Sequence, residues 1–253
     1  MSSIGTGYDL SASQFSPDGK VFQVNYAAKA VEKSGTVVGI RGKDCVVLAV
    51  EKIITSPLYE ENAASRIYTV DKNIGLVLSG LLADGIKLLS IAREEATNYR
   101  MQFDRTIPLK ILNERLSAYI HAYTLYSAVR PFGAAVILAS WDEVNGAQLY
   151  KIEPSGSSFG YFGCASGKAK QQAKTELEKL DLKNMSTEEV VKNAGRIIYQ
   201  VHDELKDKEF KLELSMVGKE VDGLHRIEPS IWYEMAIEAG NAAKKEDDSD
   251  NEV

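Results

Sequence analysis

The order of apolar and polar residues predicts an amphipathic helix near the start of the chain. The segment SPDG, Ser16 to Gly19, has the composition of a type I turn, and Asp18 is placed to cap a following helix. Apolar residues then recur at helical spacing from about Lys20 to Lys33. This apolar face consists of Val21, Val24, Ala28 and Val31.

Strands and helices then alternate in groups along the rest of the chain. TVVGIRG and CVVLAV predict a hairpin, and RIYTVDKNIGLVLSG predicts two more strands around a turn at residues 71–73. Two helices are predicted next, from Leu82 and after Pro108. The runs AAVILASW, AQLYKIE and SSFGYFGCA predict three further strands, and a second pair of helices follows them. Ser186 and Glu189 form a capping-box signature in that pair. KLELSMVG predicts the last strand and residues from Ser230 the last helix.

This order predicts an α+β protein with four layers. Strands joined by short turns favour antiparallel sheets, and helices that arrive in pairs favour layers outside them. We therefore expect two stacked sheets flanked by helix pairs. No linker interrupts residues 1–240, which predicts one domain there, and the segment KKEDDSDNEV predicts an acidic disordered tail over residues 241–253.

Composition and charge restrict the classes of function. The net charge of −6 argues against a general nucleic-acid binder. No apolar run approaches the ~20 residues of a membrane helix, and the first residues have no secretory pattern. Two cysteines do not make a disulfide framework and fit a reducing compartment. We therefore expect a protein of the cytoplasm and nucleus, with neither nucleic acid nor membrane as a partner.

Several motifs lack the context that their chemistry needs. GSSFG matches a nucleophile elbow around Ser158, but strand-like residues follow it where a helix is required, so a hairpin turn is predicted. ASGKAK lacks the first glycine and the Ser or Thr of a phosphate loop. His121, His202 and His225 have no metal-ligand spacing and are predicted to be surface or packing residues. No metal and no cofactor are expected.

Two features allow more than one interpretation from the residues alone. Thr36 opens a predicted strand, so it is either an ordinary strand residue or a nucleophile that cleavage would expose. The apolar face of the early helix must be buried, either in this chain's own core or against a neighbouring subunit.

In the tail, Ser249 has acidic residues on both sides and is a candidate phosphorylation site.

Several segments resemble one family. YDLSASQFSPDGKVFQVNYAAKAV, residues 8–31, resembles the N-terminal signature of proteasome α-type subunits, and further matches are SGLLAD, HAYTLYSAVRPFG, GKAKQQAKTELEKL and VHDELKDKEF. The resemblance implies the αββα sandwich of N-terminal-nucleophile hydrolases, which agrees with the predicted layers.

The resemblance also implies that the chain has no catalytic residues. Aligned on Val-Gly-Ile, the nucleophile position of catalytic β-type relatives falls on Gly35, the aspartate near Glu51 and the lysine near Arg66. Glycine has no hydroxyl, and a guanidinium stays protonated. Two rival hypotheses are a self-processing threonine hydrolase that begins at Thr36 and an acidic-tailed adaptor that works outside the particle.

By resemblance, the chain is a structural subunit in protein degradation, including the ubiquitin-dependent kind. Seven α-type subunits would form a ring beside a ring of β-type subunits, with the helix of residues 20–33 at subunit interfaces. Residues 1–19 would supply an arm and turn of the gate that controls access of substrates, and activator complexes would insert their C-terminal tails between α subunits. The implied gate residues are Tyr8, Asp9, Pro17 and Tyr26, and the implied tail pocket contains Arg66, Gly80 and Leu81. Departures from the family pattern are Leu10, Lys20, Asn25 and Arg66 itself.

Overall fold

Two antiparallel sheets form the centre of the molecule. The computed structural model describes residues 7–60, 63–203 and 209–251, and the side chains only up to residue 245 in the last range. Five strands form the first sheet, namely β1 (Val37–Arg41), β2 (Cys45–Ile53), β8 (Gly163–Ser166), β9 (Phe210–Gly218) and β10 (Arg226–Ile227). Five more form the second sheet, namely β3 (Ile67–Asp71), β4 (Ile74–Gly80), β5 (Ala134–Asp142), β6 (Gly146–Ile152) and β7 (Ser158–Gly160).

The strand orders are β10-β9-β2-β1-β8 and β3-β4-β5-β6-β7. The predicted hairpins are confirmed, because β1 pairs with β2 and β3 pairs with β4 in antiparallel registers. Alternate residues of β1 and β2 point to opposite faces, as the pleat requires. Val46 and Leu48 contact the second sheet, whereas Val47 and Ala49 pack under helices. Because both faces are covered, these strands have no polar face.

Helices cover both outer faces of the stacked sheets. They are α1 (Phe22–Glu32), α2 (Leu82–Phe103), α3 (Leu109–Ala122), α4 (Lys170–Glu178), α5 (Thr187–Val201) and α6 (Ser230–Asn251). α2 and α3 pack on the second sheet, and α4, α5 and α6 pack on the first. The predicted four-layer αββα sandwich is therefore confirmed. The capping box is also present, with Ser186 accepting from the Glu189 amide at 3.4 Å. Across the described residues, no helix combines the length and the apolar character needed to cross a bilayer.

The third of the strands predicted after residue 133 is in fact two strands in different sheets. β7 pairs with β6 in the second sheet, and β8 pairs with β1 in the first. Tyr161 and Phe162 make the crossing, with the Tyr161 amide bonded to Leu149 O at 2.9 Å and the Arg41 amide bonded to Phe162 O at 2.8 Å. Both halves are strand-like in composition, so residue pattern alone does not reveal that the partner strand changes.

The GSSFG segment belongs to a hairpin, as predicted: Gly156 and Ser157 end the turn after β6, and Ser158–Gly160 form β7. Within the turn the Glu153 amide donates to Ser157 O at 2.9 Å. The hydroxyl of Ser158 accepts a hydrogen bond from Asn113 Nδ2 at 3.0 Å. Ser158 therefore has a structural contact and stands on no nucleophile elbow.

The domain boundary predicted at residue 240 does not coincide with a break in the structure. α6 continues through it to Asn251, and Ala243 is buried. The alanines and lysines after residue 240 are good helix formers, and α6 is held against α5, so the helix has no reason to stop there. The side chain of Ser249 and residues 252–253 lie outside the described part, and the acidic tail stays a prediction.

A buried histidine makes the fold sensitive to acid. The His225 ring packs against Gly75, and its Nδ1 lies 2.7 Å from Thr69 Oγ1. Its Nε2 is buried without a hydrogen-bond partner among the described residues. Burial lowers the pKa of His225 from its usual value of 6.5 to about 4. The unfolded chain therefore binds a proton below pH 6.5 that the folded chain does not bind until about pH 4.

We expect the free energy of unfolding to fall by about 2 kcal/mol between roughly pH 7 and pH 5 on account of His225. The variant His225→Gln should lack this component, as measured by urea unfolding of the full-length chain at both pH values. His121→Gln is the matched control because His121 is exposed. An unaltered pH dependence in His225→Gln would contradict the assignment.

Candidate functional site

Thr36 lies just ahead of β1 and is completely buried. Its backbone nitrogen donates to Glu51 Oε2 at 2.9 Å, and its hydroxyl has no hydrogen-bond partner among the described residues. The residue is thus held inside the chain, and its amide is part of the packed interior. Of the two interpretations open from sequence, the ordinary strand residue fits this geometry.

Gly35 occupies a position that has no room for a side chain. A Cβ built on Gly35 would lie 2.2 Å from the carbonyl oxygen of Glu51, which is far inside van der Waals contact. On the other side, Gly167 approaches the Gly35 carbonyl so closely that a Cβ on Gly167 would lie 2.3 Å from it, and Gly167 also has a φ of +93°. Threonine at residue 35 would require the backbone to move.

The Glu51 carboxylate is the centre of a buried polar cluster that ties three segments together. Its Oε2 accepts from the Thr36 amide, and its Oε1 lies 2.9 Å from Lys168 Nζ and 2.6 Å from His202 Nδ1. Lys168 precedes α4 and His202 follows α5, while Glu51 belongs to β2. We call these four residues the Glu51 cluster. Both carboxylate oxygens are therefore occupied, one by the backbone just before β1 and the other by Lys168 and His202.

The role of His202 was not predictable from its neighbours in sequence. The sequence predicts a surface or packing histidine, and the ring does pack on Phe210, with 4.4 Å between the ring centres. Its contact with Glu51 joins residues 151 positions apart, which no local pattern indicates. The side chain is only 7% exposed.

Arg66 and Gly80 meet beside this cluster. Arg66 Nη1 donates to Gly80 O at 2.6 Å, and the Arg66 amide donates to Glu213 Oε2 at 2.8 Å. Burial lowers the pKa of the Arg66 guanidinium, and the charge of Glu213 acts in the opposite direction. Leu81 follows directly, with its amide bonded to Gly133 O at 2.9 Å and its side chain about half exposed.

A cavity of about 200 Å³ opens at this point, and we call it the Arg66 pocket. Charged residues on its wall are Lys33, Glu51, Lys52 and Arg66, and Gly35 also lines it. Sequence reasoning found Arg66 but missed both lysines and Glu213. Cationic side chains around a small cavity suit a carboxylate ligand. A permanently protonated guanidinium is unsuited to the role of general base.

Two of the four predicted gate residues are in contact. Tyr26 on α1 donates to Asp9 Oδ2 at 3.2 Å, and the Gln23 side chain donates to the Asp9 carbonyl. Tyr8 is partly exposed, and Pro17 lies in the turn, which closes through the Gly19 amide and Ser16 O at 2.9 Å. The start of the described chain is therefore fastened to the first helix.

Asp18 does not cap α1. The N-cap is Val21, which has no side-chain hydrogen bond, so the predicted cap is wrong. Asp18 instead pairs with Lys20 at 2.8 Å and accepts from Ser16, and the Lys20 bond lowers the pKa of Asp18 to about 2. The competing local contact within the turn holds the carboxylate away from the helix amides.

The apolar face of α1 is only partly covered by this chain. α1 contacts β4 and β5, and Val31 is buried there, but Val21, Val24 and Ala28 are half-buried. Phe15 is 69% exposed beside the same helix. The core of this chain thus covers the end of the apolar face of α1 that contains Val31. A role of the remainder at a subunit interface stays a prediction.

Two stacked antiparallel sheets with helices on both outer faces, and a buried carboxylate beside the start of the first strand, are the architecture of the N-terminal-nucleophile hydrolase fold. A model of the proteasome subunit family matches residues 31–217, and a model of the N-terminal signature of A-type proteasome subunits matches residues 8–30. The chain belongs to the proteasome subunit family, in its α-type, non-catalytic branch, and so to a family whose members assemble with other proteasome subunits.

Similar proteins cover the whole chain. The proteasome alpha type-3 subunit of Drosophila melanogaster is 69% identical over 253 residues, with 100% of both chains covered. The protein of the same name from Acanthamoeba castellanii is 54% identical, with 99% of both chains covered. A Saccharomyces cerevisiae protein, described as a probable proteasome alpha type-7 subunit, is 47% identical and covers 100% of this chain and 88% of its own.

The Glu51 cluster predicts a large cost for removing its negative charge. In Glu51→Gln, Lys168 would face a neutral amide in a buried site, and we expect a loss of about 3 kcal/mol in the free energy of unfolding. Urea unfolding of the full-length chain measures this. Glu95→Gln breaks a partly exposed pair with Arg115 and should cost less than about 1 kcal/mol. Equal losses of unfolding free energy in the two variants would show that the Glu51 cluster stabilises the fold no more than an exposed ion pair does.

Proposed function

We propose that this chain is a non-catalytic structural subunit of a proteasome α ring that helps to gate access of substrates and to dock activators. Seven α-type subunits would form the ring, with β-type subunits in the adjacent ring, in particles of the cytoplasm and nucleus. The observation that carries the docking role is the Arg66 pocket, a small cavity with cationic residues on its wall. Arg66 lines this cavity and donates to Gly80 O, whereas Gly80 and Leu81 lie outside the lining.

The absence of catalysis is supported by the geometry at the predicted nucleophile position. Gly35 has no hydroxyl, and Glu51 leaves no space for a larger residue there. Glu51, near which the resemblance places the catalytic aspartate, is occupied by the Thr36 amide, Lys168 and His202. A self-processing hydrolase beginning at Thr36 would have to expose a residue that is completely buried here.

The assembly role is supported by the surface that α1 leaves open. The half-buried Val21, Val24 and Ala28, together with the exposed Phe15, form an apolar area that a neighbouring subunit would cover. The gate role is supported by the contact between Asp9 and Tyr26, since one hydrogen bond of this kind is weak enough to be exchanged when a partner binds. Ser249 is proposed as a phosphorylation site on its acidic surroundings alone.

We expect Arg66→Ala to weaken activator docking without preventing assembly, because it removes a cation from the pocket wall while the backbone contact to Glu213 remains possible. Stimulation of peptidase activity by an activator complex, titrated against particles that contain the variant, measures the effect. Arg105→Ala, at an exposed arginine, is the matched control. Undiminished stimulation by the same activator concentration would refute the docking role.

The Tyr26 contact gives a second test, directed at the arm. In Tyr26→Phe the hydroxyl that donates to Asp9 is lost, and we expect backbone amides of residues 7–13 to exchange hydrogen about fivefold faster in the assembled particle. Hydrogen–deuterium exchange with mass spectrometry resolves this segment. Tyr59→Phe, at an exposed tyrosine, should leave it unchanged. Equal exchange in both variants would mean that Tyr26 does not hold the arm.

A further inference from the structure

A second buried acid, Glu213, lies behind the wall of the Arg66 pocket. It belongs to β9 and is paired in register with Val50 of β2. Register partners in a sheet point to the same face, and Val50 packs between the two sheets, so Glu213 also faces the second sheet. Its exposed fraction is 5%, and its neighbours in the strand, Leu212 and Leu214, are buried apolar residues.

Glu213 contacts two of the residues that line the pocket. Its Oε2 accepts from the Arg66 amide at 2.8 Å, and its Oε1 lies 3.4 Å from Lys52 Nζ. The Lys52 side chain is 10% exposed, so the pair is shielded from water. Interactions between charges are stronger in such surroundings than at an open surface.

Without Glu213, the described residues that line the cavity include more cationic than acidic side chains. Among the residues that the structure describes, those with a cationic side chain in the lining are Lys33, Lys52 and Arg66, and the one with an acidic side chain is Glu51. Glu51 is already bound to Lys168 and His202, which lie outside that lining. Glu213 is thus an acid behind the wall that contacts both Lys52 and the backbone of Arg66.

We propose that Glu213 is a positioning residue that sets the positive charge of the Arg66 pocket and so limits its affinity for the C-terminal carboxylate of a peptide. The proposal rests on the docking role given above. A bound carboxylate is repelled by Glu213 and attracted by Arg66, Lys52 and Lys33. The pocket therefore holds a tail weakly enough to release it, and the residue responsible is hidden from the ligand.

The proposal predicts that two single variants change the affinity for the peptide in opposite directions. Glu213→Gln keeps an acceptor for the Arg66 amide and removes the charge, so affinity should rise by about fivefold. Lys52→Met leaves Glu213 without that cation, so affinity should fall by a similar factor. The double variant removes the pair together and should lie near the wild type. Glu213→Asp, which keeps the charge, should also stay near the wild type.

The measurement uses assembled particles and an eight-residue peptide with the C-terminal sequence of an activator subunit. The peptide carries a photo-crosslinker and ends either in a free carboxylate or in an amide, and crosslinking to this subunit is titrated and resolved by mass. The affinity gained in Glu213→Gln should belong to the free-carboxylate peptide alone and should shrink at high salt, because it is electrostatic. A change that arises only from altered packing would affect both peptides alike.

The outcomes distinguish a failure of the proposal for Glu213 from a failure of the docking role on which it rests. If wild-type particles bind the two peptides equally, or if Arg66→Ala has no effect on the free-carboxylate peptide, the docking role fails. If both of those controls behave as expected but Glu213→Gln leaves the affinity unchanged or lowers it, the docking role stands and the proposal for Glu213 is overturned. Weaker binding in both Glu213→Gln and Lys52→Met would likewise overturn it.

Discussion

The buried carboxylate of Glu51 is the contact on which the arrangement of this molecule depends. It joins the amide at the entrance to β1, a lysine ahead of α4 and a histidine after α5, and these three segments are distant in sequence. A buried charge is tolerated only when hydrogen bonds and opposite charges surround it. The three contacts together satisfy the buried carboxylate and hold the start of the first sheet against the segments beside α4 and α5.

The same contact explains how a hydrolase fold can serve as a scaffold. The resemblance to catalytic β-type subunits predicts a catalytic aspartate near Glu51, whereas the Glu51 carboxylate in this structure contacts the Thr36 amide, Lys168 and His202. Gly35 then allows the chain to pass so close to β2 that the space beside the strand start is filled by backbone. What remains open is the small cavity beside Arg66.

Much of the fold follows from local sequence patterns, and the site follows only in part. The β1–β2 hairpin and the capping box at Ser186 were predictable because each depends on residues close together in the chain. The partners of Glu51 and Glu213 come from elements up to 151 positions away, so no spacing rule indicates them. The cap predicted at Asp18 is wrong because a contact inside its own turn competes with the helix amides.

The crossing at Tyr161 and Phe162 has a mechanical consequence. Two residues link the end of β7 to the start of β8, and three Cα steps can span at most about 10–11 Å. Stacked sheets lie about 10 Å apart, so such a short link leaves little room for the β7 and β8 edges to separate. The link thus joins the two sheets covalently along one side of the sandwich. At the opposite edges, β10 and β3, the two sheets are joined instead by noncovalent contacts such as the Thr69–His225 hydrogen bond, which can break without cleavage of the chain.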